Sequence, residues 1–260
     1  MKKELREYIL ALADKKLRNR DRRMNDYRPI SVETDVSKNA EGSALLRIGD
    51  TQVIAGVKMS VGTPYPDTPN SGNLVCNVEL SAISDVKFEP GPPTEDAIEL
   101  SRVVDRGIRE SGAIDIDKLC IIPGEKVWNV FVDVYILNND GNLIDACGLA
   151  AISALKNAKM PKLDAKNQVV LGEWSNGKIP FIKVPIPTTF VKIDDTLLID
   201  PDSDEEQISD ARLTITCSEG EINAMQKGGK GGFNVKEIEQ CVEESFKIRD
   251  KISEIIKNLK

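Results

Sequence analysis

Apolar positions recur along this chain with two different periods. Near the start, Leu5, Ile9, Leu12 and Leu17 fall at helical spacing and predict a helix over residues 3–17. From residue 30 the period changes to two. Ile30–Val36 alternates, and Ser43–Ile48, Gly49-Asp50 and Thr51–Lys58 read as strand, tight turn and strand. Residues 62–72, rich in Pro, Asn, Ser and Gly, read as a loop, and Leu74–Leu80 as a further strand. Residues 127–137 are almost continuously apolar and predict a long, largely buried strand, which the Asn138-Asn-Asp-Gly141 turn ends. Residues 145–156 form a helix rich in Ala and Gly, whose Gly148 suits close packing on a sheet. Short strands are expected over 162–190 and a strand over 212–217. Val235–Leu259 is a last amphipathic helix with Ile238, Val242, Ile252, Ile255, Ile256 and Leu259 as its core face. Strands, helix, strand, helix, strands and helix in that order predict an α+β architecture with antiparallel sheets.

One helix carries two distinct faces. Between Thr94 and Gly112, Ala97, Leu100, Val104 and Ile108 mark a buried stripe, and Gly112 stands where a helix cap belongs. Arg102, Arg106 and Arg109 are spaced i, i+4, i+7 and share another stripe. A guanidinium is a planar fork that matches phosphate geometry, so this stripe is a candidate anion site. The competing reading is a solvated face on which Glu95, Glu99 and Asp105 serve as ion-pair partners.

Charge sharpens that contrast. The net charge of -7 predicts no general affinity for polyanions, so any such site is local. Histidine is absent, which excludes Ser-His-Asp and Cys-His chemistry and His-ligated metals. The five cysteines are scattered without a Cys-x-x-Cys pair, and Cys76, Cys120 and Cys217 are expected to be buried as small hydrophobes. No apolar run reaches the ~18–20 residues of a membrane helix, and the first residues lack a signal-peptide core, so a cytoplasmic protein with no membrane partner is expected.

Three further segments are weaker candidates. Asp200–Glu206 with Asp210 could hold Mg²⁺ through oxygen ligands, although a solvated loop is the commoner outcome. Lys227–Gly232 could cradle a phosphate but lacks the Walker spacing, and a flexible turn is expected. The helix start at 145–149 offers free N–H groups but no charged side chain among Ala146, Cys147, Gly148 and Leu149. The basic stretch from Lys15 to Arg28 is read as a solvated helix end and linker.

Four segments together carry a resemblance: Gly42–Ala55, Glu99–Arg109, Asp140–Ala151 and Gln226-Lys-Gly-Gly229. In this order they resemble the RNase-PH-like family over roughly residues 25–258, and within it the non-catalytic members of the archaeal exosome ring. The resemblance implies an RNase-PH-like fold of two βαβ-type halves with mostly antiparallel sheets. It places an N-terminal helix and basic linker at 1–24, a first half at 25–190 and a second at 191–260. It further implies a six-membered ring around a channel for single-stranded RNA, with three copies of this chain, three of a catalytic RNase-PH-like partner, and RNA-binding cap subunits.

Active relatives degrade RNA from the 3′ end with inorganic phosphate and Mg²⁺. Laying Asp145 on the family's aspartate puts Gly148 and Leu149 where a phosphate-binding Ser/Thr and Arg belong, and that loss implies a chain without catalysis or cofactor of its own. Arg102, Arg106 and Arg109 would then bind RNA. The alternative is an active, phosphate-dependent 3′-5′ exoribonuclease working as a homo-oligomer through Asp204 and Asp210, which stand six apart ahead of a strand.

Overall fold

The computed structural model of the chain describes residues 2–259. It opens with α1 (Lys2–Ala13), shorter than the predicted 3–17 because the chain turns at Asp14–Lys16 and leaves Leu17 39% exposed. β1 (Ile30–Thr34), β2 (Gly42–Ile48) and β3 (Thr51–Gly62) follow as an antiparallel meander. Gly49, at φ +55°, makes the two-residue turn that pairs Ile48 with Thr51. That register puts Leu46, Ile48, Val53, Ala55, Val57 and Met59 into the core. β4 (Asn73–Glu79) leads to α2 (Glu95–Glu110), then to β5 (Cys120–Ile122) and β6 (Lys126–Asn138). β4 and β6 are the parallel pair of a sheet ordered β1-β2-β3-β6-β4, with β5 on β6.

α3 (Leu143–Asn157) is the central helix. It packs on β2, β3 and β6 of the first sheet and on β9 of the second, so it is buried all round. This explains its run of Ala and Gly, since bulkier side chains would hold two sheets apart. β7 (Lys159–Leu163) and β8 (Val169–Lys178) form a separate ribbon. β9 (Ile186–Ile193), β10 (Thr196–Ile199), α4 (Ser203–Ile208), β11 (Ala211–Ser218), β12 (Glu221–Gly229) and α5 (Val235–Lys257) complete the chain. The second sheet, ordered β10-β9-β11-β12, is antiparallel throughout. A division at 190/191 runs through β9; the change of sheet lies between Lys178 and Ile186.

Several expectations are corrected by tertiary pairing. The basic stretch is solvated only in part, at Lys15, Lys16 and Arg23; its Arg18, Arg22 and Arg28 turn inward and pair with Glu205 and Asp200 of the acidic run, which is therefore no solvated loop. Arg18 binds Glu205 through Nε–Oε1 at 2.8 Å and Nη2–Oε2 at 2.6 Å, with both side chains fully buried. Arg28 clasps Asp200 through Nε and Nη2 at 2.9 and 2.8 Å and donates to the Asp140 carbonyl at 2.7 Å. Asp202 caps α4 in a capping box with Glu205. Gly228 and Gly229 end a strand rather than form a free turn. On α5, Cys241, Ser245 and Ile248 are buried whereas Ile255 is 39% exposed. Cys76 and Cys120 are only half-buried, because they lie on the outer sheet positions; Cys147, Cys217 and Cys241 are buried.

Candidate nucleic-acid interface

α2 is built to hold one face in the core and the other in the open. Thr94 caps it by accepting from the Ala97 N–H, acidic Glu95 and Asp96 sit in its first turn, and Gly112 leaves it at φ +61°. Ala97, Leu100, Val104, Gly107 and Ile108 are buried, and the helix packs on β4, α3 and β12. Arg102 and Arg106 are exposed on the other face. Among the described residues neither makes an ion pair or a side-chain hydrogen bond.

The reason is that the acids of α2 are engaged elsewhere. Glu99 accepts from Arg212 Nη2 at 2.7 Å and Gln226 Nε2 at 3.1 Å. Partial burial would raise its carboxyl, but the Arg212 and Gln226 hydrogen bonds outweigh that and hold it below the usual range. Asp105 is taken by Arg109, with contacts of 2.8 and 3.0 Å, and Arg109 also donates to the Leu74 carbonyl at 2.9 Å. The Asp105 hydrogen bond raises the Arg109 pKa further. The three predicted arginines therefore divide: Arg102 and Arg106 are free, and Arg109 is neutralised. The ion-pair reading holds for Asp105 with Arg109 but not for Glu95 or Glu99 with Arg102 and Arg106.

The free pair stands between two hollows. One, of about 410 Å³, has Ile98, Val103, Met225 and Gln226 in its walls; the other, of about 470 Å³, has Tyr65, Val75 and Arg109. Arg102 and Arg106 line both. Residues 62–72 read from sequence only as a loop, which does not single out Tyr65 as a lining residue. A lone aromatic between two prolines was the available signal.

The start of α3 is closed. Leu149 is fully buried, and a Cβ on Gly148 would stand 2.8 Å from Pro187 Cγ. Asp145 is fully buried and accepts from Thr189 Oγ1 at 2.7 Å, Thr189 N at 3.0 Å, Asn142 Nδ2 at 2.9 Å and Tyr27 Oη at 2.9 Å. Burial pushes its carboxyl up to about 6 against the pull of those donors. The Asn142 N–H, which precedes the helix, donates to Glu206 at 2.8 Å. An anion finds no room there, and the nearby Arg28 is already held by Asp200.

Asp204 and Asp210 are not brought into one site. Asp204 is exposed in the first turn of α4, where partial burial and the nearby Asp202 and Asp140 raise its pKa. Asp210, beyond that helix, accepts from Arg6 at 2.7 and 3.1 Å and from the Asp194 N–H at 2.8 Å, and Arg6 holds it below the usual range. Among the described residues, no three acidic or cysteine side chains are grouped to hold a metal. Nor is any helix of the described residues long and apolar enough to cross a membrane.

Comparison with known proteins bears on this geometry. Residues 26–161 match domain 1 of the 3′ exoribonuclease family, and residues 183–248 match domain 2. The exosome complex component Rrp42 of Pyrococcus furiosus is 49% identical over 257 residues, covering 98% of this chain and 93% of that protein. A chain of the Archaeoglobus fulgidus exosome with RNA bound to the active site superposes with a TM-score of 0.91 at 42% identity, covering 97% of this chain and 98% of the other. A chain of an archaeal exosome core gives 0.87 at 40% identity, covering 99% and 98%.

Proposed function

The chain belongs to the 3′ exoribonuclease family of RNase-PH-like proteins, and on that premise we propose that it is a non-catalytic, RNA-gripping subunit of an archaeal exosome. Its Arg102 and Arg106 hold phosphates of single-stranded RNA beside the active site of a catalytic RNase-PH-like partner. Three such heterodimers form the ring, which RNA-binding cap subunits join in the cytoplasm. Inorganic phosphate and Mg²⁺ act in the partner's site.

The observation that carries this reading is the pair of arginines left without a counter-ion in a chain of net charge -7. An uncompensated pair of guanidiniums on a rigid helix is suited to phosphate oxygens. Contacts to phosphate carry no base identity, which suits an exonuclease that must pass any sequence. Arg109 is held by Asp105 through Nε and Nη2, so its charge is compensated and only its Nη1 is left for a phosphate. The absence of catalysis is supported by the sealed start of α3. There Leu149 lies in the core and Pro187 occupies the space a side chain on Gly148 would need.

The test follows a 3′-labelled single strand with Mg²⁺ and phosphate. The chain alone should leave the RNA intact, and a mixture with the catalytic partner should degrade it. Arg102→Glu with Arg106→Glu should weaken binding to the assembled ring and flatten its log–log salt dependence by roughly 0.7 per lost phosphate contact. Phosphate-dependent degradation by the chain alone, lost in Asp204→Asn, would overturn the reading in favour of an active homo-oligomer.

A further inference from the structure

Two acids stand within helical reach of Arg102: Glu99 and Asp105, each three residues away. Asp105 is tied by Arg109 on the same helix. Glu99 is tied from outside it, its Oε1 accepting from both Arg212 Nη2 and Gln226 Nε2. The two donors come from neighbouring strands. Arg212 of β11 lies opposite Gly228 of β12, and Gln226, two residues before that glycine, is its diagonal neighbour, so both reach one carboxylate oxygen. The glycine leaves the space this requires. A Cβ at 228 would stand 2.9 Å from Arg212 Nη2 and 3.2 Å from its Cζ, across the guanidinium. The Gln226-Lys-Gly-Gly229 segment therefore supplies one donor and makes room for the other. Glu99, Arg102, Arg106 and Gln226 line one hollow of about 410 Å³, so a carboxylate released from this clamp would face the arginines.

We propose that Arg212 and Gln226 are positioning residues for RNA binding: they hold the Glu99 carboxylate on the second sheet, so that Arg102 stays free for an RNA phosphate, and Gly228 gives the Arg212 guanidinium its place. The inference deepens the phosphate-grip reading and rests on it. A carboxylate and a guanidinium three residues apart pair on an open helix face, and an arginine already paired releases fewer counter-ions when RNA arrives. Arg212 also cancels the charge of Glu99, which would otherwise oppose a phosphate in the same hollow. Arg212 and Gln226 thus act on RNA through Glu99 rather than by contact.

The assembled ring, with its catalytic partner inactivated, is titrated with a single-stranded oligoadenylate across a salt series. Arg212→Ala should weaken binding about five-fold at 0.1 M salt and flatten the log–log slope by roughly 0.7, the worth of one phosphate contact. Gly228→Ala, which displaces the same guanidinium, should shift affinity and slope in the same direction. Adding Glu99→Gln to either variant should restore both, and Glu99→Gln in the unmodified ring should change binding less than it does in Arg212→Ala. Unchanged affinity and slope in Arg212→Ala overturn the proposal. So does a loss that Glu99→Gln fails to restore, an equal gain from Glu99→Gln with and without Arg212, or failure of Arg212→Ala with Glu99→Gln to enter the ring, which would make the pair an assembly contact. Arg102→Glu with Arg106→Glu is run alongside. If that variant loses affinity and salt slope while Arg212→Ala loses nothing, the clamp fails and the phosphate grip stands. If the Arg102 and Arg106 variant binds normally, the grip itself has failed.

Discussion

A side chain's role here depends on which partner reaches it first. Glu99 could have neutralised Arg102, three residues on; Arg212 and Gln226 claim it from β11 and β12 instead. Asp105 could have served Arg102 or Arg106 but is bound by Arg109. Helical spacing shows which residues share a face, but not which acids remain available to it. Glu206 illustrates the same dependence for protons. It keeps some surface within reach of solvent, yet protein encloses it closely enough that burial pushes its carboxyl from 4.5 up to about 7, against the Asn142 N–H and the charges of Arg212 and Arg28. A carboxyl whose pKa rises on folding stabilises the fold below its unfolded pKa and loses that contribution as pH climbs through the folded value. Stability should therefore decline between about pH 4.5 and about pH 7. Glu206→Gln, which still accepts from Asn142, should flatten that decline. Melting curves that run parallel for the two proteins across this window would contradict it.

At the level of elements, α2 and α3 represent opposite solutions. α2 buries one stripe and presents the other, so its pattern was legible residue by residue: the Thr94 cap, the Ala97–Ile108 stripe and the Gly112 exit all lie where periodicity and capping put them. α3 is enclosed by two sheets, and its composition reads correctly as close packing while its consequence for chemistry does not. Only the second sheet, reaching over through Pro187 and Thr189, shows that the start of α3 is closed. Leu149→Arg, which would restore the family's cation in sequence, should therefore place an unpaired charge in the core. We expect a loss of more than about 4 kcal/mol in denaturant unfolding and no phosphate-dependent degradation. A stable, active Leu149→Arg protein would show that the α3 site can reopen.

For the whole molecule, the decisive contacts tie opposite charges across the sequence. The segment between α1 and β1 places Arg18 and Arg28 against Glu205 and Asp200, and Asn142 adds a 2.7 Å bond to Asp200 from the start of α3. N-terminal arm, first half and second half thus meet in one buried network, above a helix that both sheets share. The chain should unfold as a single cooperative unit. In a Trp174→Phe background, emission from buried Trp128 in the first sheet should report the same midpoint as far-ultraviolet circular dichroism. Arg28→Ala should lower both together. Two separated transitions would mean that the network does not couple the halves.

The sequence by itself determined most of the elements, α4 and β12 excepted, and with them the α+β class, the family and the arginine stripe, because these rest on local periods, caps and turns and on motifs in a fixed order. It left the basic stretch and the acidic run as two solvated segments, since nothing local says that they neutralise each other across the fold. Only the tertiary structure decided that Arg102 and Arg106 are free while Arg109 is not, that Tyr65 stands beside them, and that Asp204 and Asp210 face different partners. Whether a charge is available to a ligand depends on every competing partner within a few ångströms, and those partners come from strands and helices distant in sequence.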